Sequence, residues 1–137
     1  MDSNKENLYF VWGDFMLLDD LEIRQVRGLT DEQVNLAKAF IKGSVYCWVK
    51  NKVDEPFSVR NLFGGVNTDW RDTPLHDVWH KHIKNGKSCD EAYDLARKDV
   101  GWLLRMVLHE DKYRKFSSRK EDLTSIYFWE NREEFEQ

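Results

Sequence analysis

Two cysteines in 137 residues, Cys47 and Cys89, share no C-x-x-C spacing, which excludes a disulfide scaffold and argues against a cysteine-built zinc site. No run approaches the roughly 18 consecutive apolar residues of a membrane span, and the opening "MDSNKENLYF" lacks the basic-then-apolar order of a signal peptide. The expectation is a cytoplasmic chain with no membrane partner. There is no internal repeat and no low-complexity tract, which excludes a solenoid. "LFGGV" supplies two glycines but neither G-x-x-x-x-G-K-[ST] nor G-x-G-x-x-G, so nucleotide phosphates have no backbone cradle. Asp19–Asp20 and Asp69 with Asp72 do not make a calcium loop.

Aromatic residues, by contrast, are plentiful. Six Trp, five Tyr and eight Phe in a chain that is 41% hydrophobic argue for a folded core, and the length is that of one domain. We expect a single domain over residues 1–137, with 1–6 and 133–137 frayed.

Cap signals divide the chain. Thr30 and Gln33 form a T-x-x-Q capping box opening a helix to about Lys52, with Val34, Ala37, Ile41, Val45 and Trp48 on its inner face. Leu36, Phe40 and Cys47 widen that stripe, and Gly43 with Ser44 would admit a neighbouring backbone. Ser58 caps a short helix "VRNLF" that stops at Gly64 and Gly65. Thr73 and Pro74 begin a third helix ending at Asn85–Gly86, and Ser88 with Glu91 opens a fourth running to about Glu110. The third and fourth helices should form an antiparallel hairpin. Near the ends, Leu8–Trp12 and "SIYFW" (125–129) read as strands of one sheet, and "KYRKF" and "TSIYFWE" as hairpin arms separated by "SSRKEDL", with a last helix from about Arg119 as the alternative. The fold class is α+β, mostly helical, with about four helices and a small antiparallel sheet or hairpin formed from the chain ends, in a winged-helix-like order.

Three of the four histidines, His76, His80 and His82, lie within seven positions. At 100° per residue His82 falls among Leu75, Val78 and Trp79, a core place, while His76 and His80 share a wetter flank. His76 and His80 at i, i+4 could share a metal, but a third ligand is missing and "HDVWH" lacks the glutamate of H-E-x-x-H, so no metal and no cofactor are expected. Asp99 sits on the apolar face of the fourth helix and needs a partner. Counting residues from a turn near Lys87 puts it about 10 Å from His82, which points to Thr73 or the Trp70 indole instead. Cys89, in a helix's first turn, would need His80 or His82 as base to be a nucleophile, and a solvent-facing thiol is the commoner case. No catalytic residue is assigned.

Charge is unevenly spread. Residues 1–30 are net −3 and 121–137 net −5, while 91–120 are net +3, within a chain of net −4. Two readings of function follow. The first is a small non-enzymatic interaction domain that binds an unknown protein partner or acts as a regulatory module. The alternative is a winged-helix-like module binding double-stranded DNA, with His80, Lys81 and Lys84 of the third helix and Lys112, Tyr113, Arg114, Lys115, Arg119 and Lys120 of the basic segment as contacts.

Overall fold

The helices start where the capping side chains stand. In the computed structural model, which describes residues 15–64 and 68–135, Thr30 accepts from the Gln33 amide and the Gln33 side chain accepts from the Thr30 amide, opening α1 (Asp31–Asn51). Ser58 and Asn61 repeat the arrangement ahead of α2 (Val59–Phe63). α3 (His76–Lys84) ends at Gly86, whose φ of 85° lets its N–H reach the Ile83 carbonyl and that of Lys87 reach the His82 carbonyl, a Schellman closure. Ser88 accepts from the Glu91 amide to open α4 (Cys89–Glu110). One cap is displaced from its expected role: Thr73 accepts from the Leu75 amide and donates to the Trp70 carbonyl, closing a turn, and α3 begins only at His76.

The sheet is antiparallel in the order β1 (Met16–Leu17), β2 (Phe116–Glu121), β3 (Thr124–Trp129). The hairpin replaces the alternative final helix, but its arms differ from expectation. "SSRKE" is strand, and the loop is only Asp122–Leu123, with Asp122 at φ 55°. Ser117 and Ser118 are buried in the middle strand, so pairing on both edges rather than apolar alternation makes this stretch a strand. Leu8–Trp12 lies outside the described residues. The N-terminal pairing that is described, Met16 and Leu17 with Ser118 and Ser117, is to β2 and not to "SIYFW". Near the C-terminal end, Glu134 accepts from Asn131, and Phe135 packs edge-on against Trp129 at 5.2 Å.

The core lies between α1, α4 and one face of the sheet. α1 contributes Ala37, Ile41, Val45 and Val49, a ridge at four-residue spacing, and α4 contributes Ala96, Val100, Leu103, Leu104, Val107 and Leu108. This ridge is narrower than the stripe read from the sequence. Leu36 is 52% exposed, Cys47 is exposed, and Trp48 is half-buried, its indole donating to the Glu55 carbonyl. No helix among the described residues is long and apolar enough to cross a membrane.

Gly43 admits no neighbour, because a Cβ built there meets nothing within 4 Å. Gly43→Ala should therefore stabilise the fold by about 1 kcal/mol through helix propensity alone. Ile41→Ala should cost about 2–5 kcal/mol, burial plus cavity. Denaturant midpoints of the two variants, moving in opposite directions, check the placement of this helix.

Candidate functional site

The histidine-bearing helix spends its chemistry on the fold. His82 Nε2 stands 2.6 Å from Asp99 Oδ2, and Lys81 Nζ stands 2.9 Å from the same oxygen while donating to the Arg27 carbonyl. His82 is thus Asp99's partner, against the register estimate. Side chains on a helix lean toward its N-terminus, so in an antiparallel pair His82 and Asp99 lean toward one another and close the gap that counting Cα positions leaves. Trp70 donates instead to the Phe63 carbonyl. Lys81 is buried and does not face solvent with His80 and Lys84. Gly28, at φ 86°, carries the chain over it, since a Cβ there would stand 3.2 Å from Lys81 Cδ.

His76 and His80 stack on each other at 5.6 Å, next to Trp79. Among the described residues no three His, Cys, Asp or Glu side chains are grouped to hold a metal. Cys89 is exposed, and His82 is turned to Asp99.

The basic segment 112–120 divides rather than converging. Arg114 lies over Tyr46 at 4.0 Å and Phe135 at 4.8 Å and faces Asp111, and Arg119 lies over Phe15 at 5.1 Å and pairs with Glu121. Both hold the fold together. Lys112, Tyr113 and Lys115 are exposed ahead of β2, and strand alternation sends Arg119 and Lys120 to opposite faces of the sheet.

Lys120 turns toward a feature that the sequence reading missed. A cleft of about 640 Å³ opens between α4, α2, the hairpin and the segment around residues 22–24. Among the described residues that line it, the cations are Arg24, Arg60, Arg97, Lys98, Arg105 and Lys120, against the single carboxylate of Glu22. α4 supplies Arg97, Lys98, Gly101, Trp102 and Arg105, spaced i, i+1, i+4, i+5, i+8, a stripe on the flank away from the buried face. That spacing was the signal available in the sequence, passed over because only the apolar face of this helix was traced.

Arg105 is the fixed point of the cleft. Its guanidinium donates to Tyr127 Oη at 3.1 Å, to Ser125 Oγ at 3.0 Å and to the Glu22 carbonyl at 3.3 Å, and lies 5.2 Å from the Trp102 ring centroid. These acceptors are neutral, so its orientation is set while its charge is not cancelled. Glu22 pairs with Arg24, and Asp94 with Arg97. Among the described residues Arg60, Lys98, Arg105 and Lys120 have no carboxylate within ion-pair distance. Four uncancelled cations around a concave surface, in a chain of net −4, make a local positive field.

No protein-family model, curated protein or solved structure matches this chain. The cleft must therefore be judged on its own chemistry.

Two measurements test these assignments. Asp99→Ala leaves Lys81 and His82 without their carboxylate and should cost about 3 kcal/mol, whereas Lys84→Ala, on the exposed side of the same helix, should leave the thermal midpoint unchanged. At the entrance to α3, the Arg71 side chain and then its backbone N–H donate to Asp69, lowering that carboxyl from 3.8 to about 2. A depressed carboxylate contributes stability that is full above 3.8 and lost as pH falls through about 2, so the NMR titration of Asp69 should have its midpoint near 2.

Proposed function

We propose that this protein is a binding module that holds the phosphate backbone of a nucleic acid in the cleft between α4, α2 and the hairpin. The observation that carries this reading is the set of four cations, Arg60, Lys98, Arg105 and Lys120, that have no carboxylate within ion-pair distance among the described residues of an acidic chain. Phosphodiesters are the polyanions such a row suits, because each neutralised phosphate releases condensed counterions. Arg105, already oriented by three neutral acceptors, needs no reordering to meet a phosphate oxygen.

The reading keeps the nucleic-acid alternative drawn from the sequence but moves the contact surface. Lys98 and Arg105 belong to the helix directly before the hairpin, Arg60 belongs to α2, and Lys120 is the one residue of the basic segment that joins them. The protein-interaction reading rested on acidic ends and exposed aromatics. Residues 1–14 lie outside the described part, and Glu130 and Glu134 accept from Ser117 and Asn131.

Binding should weaken steeply between about 50 and 200 mM salt. Lys98→Ala and Lys120→Ala should each lower the slope of log affinity against log salt by about one, while Lys84→Ala and Lys112→Ala leave it unchanged. An equal effect of all four would place the charge contribution outside the cleft.

A further inference from the structure

We infer that the strand this cleft takes is single: unpaired nucleotides, their bases laid against the Trp102–Arg24 surface and their phosphates facing Arg60, Lys98 and Lys120. The inference rests on the nucleic-acid reading above and adds the form of the ligand.

Shape is the first ground. Proteins that read a duplex with a helix push that helix into a major groove roughly 12 Å wide, which requires the helix to stand proud of its surroundings. Here the cationic stripe of α4 is one wall of a concavity whose other walls are α2 and the hairpin, so a duplex laid on this face meets the rim of the cleft rather than its floor. A volume of about 640 Å³ falls instead in the range of sites that enclose small ligands, roughly 300–1,000 Å³, and suits one or two nucleotides threaded along the cleft.

The floor is the second ground. Val59, Gly101 and Trp102 place apolar surface between the cations, and a Cβ at Gly101 would stand in ordinary contact with Val59 Cγ2 at 4.0 Å. A duplex buries the faces of its bases in its own stack, whereas a single strand offers them. Trp102 is half-buried, with the Arg24 guanidinium 4.9 Å from its ring centroid, and indole and guanidinium are the flat, electron-complementary surfaces on which unpaired bases stack. The pair Arg24–Glu22 is largely exposed, so Arg24 is free to shift as a base arrives.

The test is anisotropy of labelled oligonucleotides of about twelve nucleotides, oligothymidine and oligouridine, against a duplex of equal length, with inorganic polyphosphate as competitor. At equal salt, at least one single strand should bind about tenfold more tightly than the duplex, the two homopolymers distinguishing DNA from RNA. Polyphosphate should compete only weakly. Trp102→Ala should weaken the single strand about tenfold with little change in salt slope, and Trp102→Phe should keep most of the affinity. Gly101→Leu fills the floor without removing a charge, at a helical position that accepts leucine, and should also weaken the single strand. Equal affinity for single strand and duplex, or full competition by polyphosphate, would overturn the single-strand inference while leaving the reading of a phosphate-backbone site. Absence of binding to every one of these polyanions at low salt would overturn both.

Discussion

Tyr127 ties the molecule together through each of its polar groups. Its backbone N–H donates to the Phe57 carbonyl at 2.7 Å and its carbonyl accepts from the Phe57 N–H at 2.8 Å, so β3 is stitched to the link between α1 and α2. Its buried ring lies 6.0 Å from that of Phe57, within the core shared with α4. Its hydroxyl, at the edge of that core, accepts from Arg105. One residue therefore joins the hairpin, the link that leads into α2 and the long α4, whose meeting leaves the cleft. Without that junction Arg60, Arg105 and Lys120 would belong to separate surfaces.

The distribution of charge follows from the same arrangement. α4 buries one flank against α1 and the sheet and leaves the opposite flank to the cleft, so the cations on it are held at fixed separations by a rigid element. Apart from Glu22 with Arg24 and Asp94 with Arg97, the paired carboxylates stand away from the cleft: Asp99 with Lys81 and His82 under the 21–30 segment, Glu110 with Lys38, Glu121 with Arg119. Several of these pairs are surface-exposed and worth little individually. Their larger effect is to take carboxylates away from the cleft, where they would cancel the field.

What was legible in the sequence was chiefly what is local. Thr30 with Gln33, Ser58, Ser88 with Glu91, and Asn85–Gly86 marked helix ends because capping acts within four residues, and those ends stand where the side chains put them. β2 was harder to read, because Ser117 and Ser118 owe their strand to partners on both sides. Periodicity puts Trp48 on the inner face of α1, whereas the buried ridge runs Ala37–Ile41–Val45–Val49 and leaves Trp48 half-buried. Asp99's partner was missed because register was counted between backbones. The cleft was beyond a linear reading for a different reason: its residues come from four segments, and the cluster 112–120 that looked basic in sequence is split by strand alternation and by the aromatic packing of Arg114 and Arg119.

The central claim is that nucleic acid meets the face built by α2, α4 and the hairpin. Amide chemical-shift mapping with a short unlabelled single strand measures this most directly, because it reports where the ligand lies without altering any residue. The account predicts shifts concentrated at Val59–Arg60, along 97–105 and at 120–127, with α3 and Lys112–Lys115 unmoved. Perturbations centred on His76–Lys84 or on Lys112–Lys115, with the cleft amides unchanged, would contradict it.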